Sequence, residues 1–354
     1  MYSLEITKNQ LIPIIEDIRT EIGHGESELN IKELIFDSKK NELLIITPDR
    51  PDKSAVIGKG GWVVGKLREQ MGINKIHVEA YTDIIVKKYR MELALEKINK
   101  LLSLDQWSNT KALTNLRDML DNKIGNLSLF DFSDYLNINE PFENTNIPDI
   151  NQNNHKAVVA LSGGVDSSFS LIILTYLGFN PLAVTADPGT IVLPNHFKNN
   201  VDNLCQSLGV KHDYVPVDFS DFIEESFEGR FHPCGRCSKM IHQAVLDHAR
   251  KNNINVVAFG DMLSTGSQSI VYNDGILRIN LPAFLGVSKQ ELEKISSIYP
   301  VKKSAYFGCP LLGEVQKKFP HMRRYSIQRI LRETRAGALE PGQALDLIWS
   351  LFKN

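Results

Sequence analysis

The sequence predicts an α/β fold in which a five-stranded parallel sheet with helical crossovers follows a smaller α+β domain. Three observations predict it. After Lys156, short apolar runs alternate with helical stretches, the pattern of strands buried on both faces. A glycine-rich turn, Ser162-Gly163-Gly164-Val165-Asp166-Ser167, joins the first of those strands to a helix. Before residue 105 the order is different: helix, strand, strand, helix, loop, helix, strand.

In chain order, Asn9–Ile22 reads as an amphipathic helix, with Leu11, Ile12, Ile14, Ile15 and Ile18 near helical spacing. Strands are expected over Ile31–Phe36 and Glu42–Thr47, separated by the turn-prone residues Asp37–Asn41. A helix over Pro51–Ile57, the loop Gly58-Lys59-Gly60-Gly61, a helix over Trp62–Gln70 and a strand over Lys75–Tyr81 complete a domain assigned to residues 1–105. Residues 106–154 read as a helical segment followed, from Asp134, by an Asn-rich linker containing Pro141 and Pro148. The sheet domain takes residues 155–312. Its strands are expected at Ala157–Leu161, Leu182–Ala186, Tyr214–Val217, Val256–Gly260 and Leu277–Leu281. Helices such as Ser167–Leu177 and Lys198–Leu208 lie between them. Residues 313–354 form a basic helical segment, interrupted at Gly337 and Pro341-Gly342.

A chain of 354 residues is long enough for two or three cores. No apolar run approaches the roughly 20 residues that cross a bilayer. Met1–Glu5 lacks the basic and apolar blocks of a secretory leader. The expectation is a cytoplasmic protein without a membrane partner. Net charge is −2, so the chain as a whole does not attract nucleic acid. Between Val301 and Arg335, however, nine bases stand against two acids, a local +7.

The loop after Leu161 carries the clearest chemistry. Paired glycines let backbone approach a phosphate without a Cβ clash. The following amides and the helix N-terminus offer donors and partial positive charge to an anion. Ser162, Ser167 and Ser168 add hydroxyls. Asp166 cannot attract phosphate itself, and a Mg2+ bridge would explain a carboxylate there. A Gly-Lys-Ser/Thr ending is absent, so this is not a Walker A loop.

With its flanking strand and helix, the run Ser162–Ser167 resembles the Ser-Gly-Gly-x-Asp-Ser signature of the PP-loop ATP pyrophosphatase superfamily (adenine nucleotide α-hydrolase-like fold), over roughly Lys156 to Leu312. The resemblance implies cleavage of ATP between its α and β phosphates and transfer of AMP to a substrate oxygen. It implies nucleotide contacts from Ser162, Gly163, Gly164, Val165, Asp166, Ser167, Ser168 and Ala186. Gly260-Asp261-Met262-Leu263, followed by Ser267-Gln268, resembles a second landmark of tRNA-thiolating members, with imperfect spacing. Gly260 and Asp261 become contacts to magnesium or pyrophosphate.

Cys234-Gly235-Arg236-Cys237 precedes a helix, and Cys309 stands later between Gly308 and Pro310. Two thiolates three residues apart can face one ion, and Cys309 is a third ligand if the fold brings it near. The helix start beside Cys237 is expected to lower the thiol pKa. Zinc, completed by His232, and a persulfide resolved as a disulfide are the other chemistries open to these residues. The arrangement resembles the iron–sulfur subgroup of PP-loop enzymes, the two-thiocytidine and two-thiouridine tRNA synthetases. That resemblance implies a 4Fe–4S cluster on Cys234, Cys237 and Cys309, whose unligated iron carries the sulfur. Cys205 shares a stripe with Val201, Leu204 and Leu208 and reads as a buried small hydrophobe. His196, His232 and His242 lie near the motifs, but none stands out as a general base.

The loop Gly58-Lys59-Gly60-Gly61 between two helices resembles the Gly-x-x-Gly loop of KH domains, implying an RNA backbone close to Gly58, Lys59, Gly60 and Gly61. KH folds that bind protein instead share the pattern. Arg323 and Arg324, in the basic segment, are a second RNA-facing candidate, against the plainer reading of a solvated helix face.

Together these readings point to an ATP-dependent tRNA sulfurtransferase using ATP, Mg2+ and a 4Fe–4S cluster, with Asp166 and the three cysteines as catalytic residues. Its partners would be tRNA and a sulfur donor, either free sulfide or a carrier protein. A homodimer is compatible with the sequence. The rivals are a PP-loop amide-forming ligase, which needs no metal-binding cysteines, and an RNA-binding protein with structural zinc.

Overall fold

A computed structural model describes residues 6–25, 28–108, 110–127, 129–138, 155–303 and 307–352. The chain divides into two compact units, Met1–Tyr89 and Arg90–Asn354. The first opens with helix α1 (Lys8–Glu21), which a Thr7/Gln10 capping box starts and whose Leu11, Ile15 and Ile18 are buried. Strands β1 (Glu33–Asp37) and β2 (Glu42–Thr47) pair antiparallel, and β3 (Lys75–Ala80) lies parallel to β2. A parallel pair needs a crossover. Helices α2 (Arg50–Ile57) and α3 (Trp62–Met71) supply it. The element order is the one expected, with boundaries within two residues.

Helix α4 (Tyr81–Leu102) runs across the division at Tyr89. The unit boundary therefore falls earlier than residue 105. Met91, Ala94, Ile98 and Leu101 are buried in the core of the second unit. Apolar spacing reveals that a helix packs, not which core it packs into.

Helices α5 (Asp105–Ser108), α6 (Lys111–Gly125) and α7 (Phe132–Leu136) follow. Leu113, Leu116, Met119 and Leu120 of α6 join the same core, so this segment is structural rather than a tether. Residues 139–154, most of the expected linker, lie outside the described residues. The sheet contains β4 (Lys156–Ala160), β5 (Asn180–Asp187), β6 (Lys211–Pro216), β7 (Val256–Phe259), β8 (Ile270–Asn273) and β9 (Ile276–Asn280). Their order is β6-β5-β4-β7-β9-β8. Five strands are parallel, as expected. The sixth, β8, pairs antiparallel with β9 through a tight turn at Asp274-Gly275, both at positive φ. The parallel-strand pattern of long apolar runs does not detect β8, because its outer half is exposed.

The helices of this unit are α8 (Val165–Tyr176), α9 (Asn195–Leu208), α10 (Ser220–Ser226), α11 (Pro233–Lys251), α12 (Leu281–Phe284), α13 (Lys289–Ser296), α14 (Pro310–Lys318), α15 (Arg323–Arg335) and α16 (Pro341–Ser350). The chain builds outward from β4 through β5 to β6, then returns to place β7 on the other side of β4. That reversal opens a crevice at the carboxyl ends of β4 and β7, where open α/β sheets bind ligands. Among the described residues no helix is long and apolar enough to cross a membrane.

Asp131 ties the helical preface to the sheet domain. Its carboxylate accepts from the amides of Ser133 and Asp134 and pairs with Lys294 of α13. Burial pushes its pKa up, but Lys294 and the two amides outweigh burial and hold it below the ordinary value. A carboxylate of depressed pKa stabilises the fold above its unfolded pKa, about 3.9, and ceases to as pH falls through its folded value. Asp131→Asn should therefore cost about 1 kcal/mol at neutral pH. In urea titrations the gap to the unaltered protein should close below about pH 4.

Candidate active site

Each connection that follows a parallel strand emerges at the same edge of the sheet, and the residues predicted to meet a nucleotide lie on the connections after β4 and β7 and at the end of β5. The loop Ser162–Gly164 leaves β4 and enters α8. Gly163 has φ +74°, and a Cβ there would lie 2.2 Å from the carbonyl oxygen of Phe197. Only glycine fits. Gly260, at the end of β7, is equally constrained: a Cβ would lie 2.8 Å from the amide nitrogen of Ser167. The two glycines press the loop between neighbouring backbones.

Hydroxyls hold its shape. Ser167 Oγ accepts from the Ser162 amide at 3.1 Å, donates to the Gly164 carbonyl at 3.0 Å and lies 3.1 Å from Ser162 Oγ. Ser168 is buried, and its Oγ has no hydrogen-bond partner. Ala186 is buried near the end of β5. The next residue, Asp187, meets Lys198 Nζ at 2.5 Å. Burial raises the Asp187 pKa, and the Lys198 contact outweighs it, so the carboxyl sits below its usual range.

The two oxygens of Asp166 lie 2.6 and 2.5 Å from Lys289 Nζ, so its charge is paired with a lysine. Lys289 is the first residue of α13, started by a Ser288/Glu291 capping box. Asp261 turns its oxygens onto the Leu263 amide and the Ser264 hydroxyl, which shapes the loop after β7.

Helix α11 begins at Pro233, so Cys234 and Cys237 lie inside its first turns, three apart on one face. Cys309 is the N-cap of α14. Cys237 and Cys309 pack on one apolar cluster with Phe222 and Leu311. The expected fall in thiol pKa does not occur. Burial, followed by the neighbouring Cys309, pushes Cys234 up to about 11 and Cys237 up to about 12. Burial also raises Cys309. Desolvation of the thiolates exceeds what helix amides return. Among the described residues, no three His, Cys, Asp or Glu side chains are gathered closely enough to hold an ion as they stand.

Arg329 of α15 lies on the cysteine side: its guanidinium is 6.0 Å from the ring of Phe307, two residues before Cys309, and its Nε donates to Glu333 at 3.0 Å. One turn earlier, the ring of Tyr325 lies 5.3 Å from that of His232, the N-cap of α11. Burial, then Arg329, lowers the His232 pKa, and its Nε2 has no hydrogen-bond partner.

No protein-family model matches the sequence. The uncharacterized protein MJ1638 of Methanocaldococcus jannaschii is 38% identical over 180 residues, which are 51% of this chain and 68% of that protein. A tRNA-cytidine(32) 2-sulfurtransferase of Francisella tularensis is 32% identical over 136 residues. These are 34% of this chain and 48% of that enzyme, so the match spans about half the enzyme's length. The chain belongs to one family with the archaeal protein. Among solved structures, the U34-tRNA thiolase NcsA from Methanococcus maripaludis, with its [4Fe-4S] cluster, aligns at TM-score 0.35 and 15% identity. That alignment covers 58% of this chain and 73% of the thiolase.

Three site residues escape sequence inspection. Lys289 had a faint signal, the Ser288-x-x-Glu291 box that marks a helix start. Arg329 was one base among nine. Asn200 had none: it is buried, donates to the carbonyls of Gly163 and Lys302 at 2.9 and 2.8 Å, and accepts from the Lys302 amide at 3.0 Å. Gly58, Gly60 and Gly61 take positive φ around exposed Lys59, and Trp62 beside them is 67% exposed. On α15, Arg323 stacks on Phe352 and exposed Arg324 donates to Tyr325 Oη at 2.7 Å. Cys205 is buried, as expected, and burial pushes its thiol up to about 12.

Gly163→Ala is expected to destabilise by 2 kcal/mol or more, roughly, and to abolish binding of a non-hydrolysable ATP analogue in calorimetry. Asn200→Ala leaves the Gly163 carbonyl and the Lys302 backbone unpaired, a loss of about 2 kcal/mol. It should weaken the same analogue without abolishing its binding.

Proposed function

We propose that this protein is an ATP-dependent tRNA sulfurtransferase, which adenylates a base carbonyl oxygen and replaces that oxygen with sulfur. The observation that carries this reading is the cradle at Gly163, where φ of +74° and a Phe197 carbonyl oxygen 2.2 Å from any added Cβ admit only glycine ahead of a helix N-terminus, as close backbone approach to a phosphate requires. Three half-buried cysteines add the thiols that sulfur chemistry needs. The relationship to a tRNA-cytidine(32) 2-sulfurtransferase supports the same reaction class and tRNA as partner.

In the first step the base oxygen attacks the α phosphorus of ATP, the bond to the β phosphate breaks, and pyrophosphate leaves. The amides following Gly163, the α8 N-terminus and Lys289 stabilise the charge on the phosphates. In the second step sulfur attacks the activated carbon. A C–S bond forms as the C–O bond to AMP breaks, and AMP leaves with the former base oxygen. Neither step changes an oxidation state when the sulfur arrives as sulfide. A persulfide would need two electrons, which a pair of these cysteines could give by closing to a disulfide.

The donor set suits a soft-metal centre by its chemistry: three half-buried thiols would lose their protons to a thiophilic ion. Cys234, Cys237 and Cys309 would hold a 4Fe–4S cluster, which supplies, when bound, an iron free of protein ligand at which sulfide can sit. Cys309 would contribute from the N-cap of α14, and the apolar cluster around Phe222 would exclude water. Magnesium would enter with ATP, bound mainly by its phosphates. One observation favours a second reading, an RNA-binding protein with structural zinc: the unpartnered Nε2 of His232 could complete a Cys3His site.

Metal analysis separates the two readings. Protein purified without oxygen is expected to carry about four irons and four acid-labile sulfides per chain, lost in Cys309→Ser. One zinc without labile sulfide would overturn the cluster reading. For the RNA side, we assign the loop Gly58–Gly61 to the tRNA backbone, where a small-residue turn admits a phosphate close to Lys59. Lys59→Asp should weaken tRNA binding about tenfold in filter assays at low salt. Its affinity for an ATP analogue should be unchanged.

A further inference from the structure

Beside the start of α11, the surface carries arginines laid on aromatic rings. Tyr325 of α15 lies 5.3 Å, ring to ring, from His232, which caps α11 two residues before Cys234. Arg324 sits 4.7 Å from the centre of the Tyr325 ring and donates to its Oη at 2.7 Å. Arg323, the residue before, lies 5.4 Å over the ring of Phe352. The Phe352 amide donates to the Trp349 carbonyl at 3.1 Å, so one turn at the end of α16 carries both rings. Trp349 is 58% exposed and Phe352 53%. Next to His232 in the chain, Phe231 has the Arg236 guanidinium 3.8 Å from its ring centre.

Packing does not explain these rings. The α15–α16 pair closes its core with Ile330, Ala344 and Leu351, without Trp349 or Phe352. Nor is the charge compensated locally. From Lys317 to Arg335 seven bases stand against one acid, Glu333, which is buried and bonded to Arg329. Arg323 Nε has no hydrogen-bond partner. Flat rings interleaved with unneutralised guanidiniums match a polymer that alternates π faces with anions, which is a nucleic acid. A duplex hides the faces of its bases, so exposed rings select unpaired nucleotides. An acidic peptide would satisfy the arginines and leave the rings uncovered. We infer that α15 and α16 seat unpaired loop nucleotides of the substrate RNA, with Trp349 stacking on a base and Arg323 and Arg324 holding the flanking phosphates. This rests on the reading of tRNA as substrate and names the part of it that docks here. The contact of Tyr325 with His232 sets that loop beside the helix that carries Cys234.

The test is binding of two RNAs to the full-length protein without ATP, followed by fluorescence anisotropy: a stem with an open loop of unpaired nucleotides, and the same stem as a blunt duplex. Trp349→Ala and Arg324→Gln are compared with Trp349→Phe, which keeps a stacking face, and thermal unfolding is recorded for each. Trp349→Ala is expected to weaken stem-loop binding about five- to tenfold and duplex binding less than about twofold. Trp349→Phe should stay within about threefold of the unaltered protein. Arg324→Gln should weaken the stem-loop about fivefold at low salt and flatten the salt dependence, as loss of a phosphate contact does. Stem-loop binding within about twofold of the unaltered protein in Trp349→Ala overturns the inference. A shift from dimer to monomer in gel filtration with RNA binding unchanged also overturns it and gives the rings to a second copy of the chain. So does an equal loss on both RNAs, because a duplex offers no base faces. Should Trp349→Ala fail to fold, Arg324→Gln decides by the same twofold limit. Failure of the unaltered protein to bind either RNA would instead remove the tRNA substrate, and this surface with it.

Discussion

The site depends on backbone packed against backbone at two glycines. Gly163 touches the Phe197 carbonyl and Gly260 touches the Ser167 amide, at separations that exclude any side chain. Those contacts set the height of the phosphate loop above the sheet and the direction of the α8 N-terminus. Asn200 then fixes the Gly163 carbonyl to residue 302, so the connection leading to Cys309 starts from the same anchor. A cradle made from amides must be rigid to be useful, because its donors cannot reorient to follow the ligand.

Charge at this edge of the sheet is arranged in compensated pairs. Asp166 faces Lys289 and Asp187 faces Lys198. Each pair keeps a cation beside the crevice without leaving it unbalanced in a partly desolvated place, where an isolated charge is costly. Incoming phosphates would compete with the carboxylates for the same cations.

The cysteines show two opposing effects with a clear winner. Helix N-termini favour thiolates, and both α11 and α14 present theirs to this group. Burial opposes ionisation and prevails at Cys234, Cys237 and Cys309. Neutral, sheltered thiols are poor nucleophiles by themselves. A soft cation that replaced their protons would remove that penalty.

By itself the sequence determined the local features. Apolar runs located all five parallel strands, the Ser162–Ser167 signature located the loop, and Cys-x-x-Cys placed two thiols on one helical face. These are short-range properties, set by spacing and by the conformations that glycine permits. The tertiary structure alone decided what is long-range. It moved the second half of α4 and all of α6 into the sheet domain's core, because helical periodicity carries no address. It set Lys289, 123 residues away in sequence, against Asp166. It also reversed the expected thiol shift, since burial depends on every neighbour and a pair of cysteines read along the chain shows none of them.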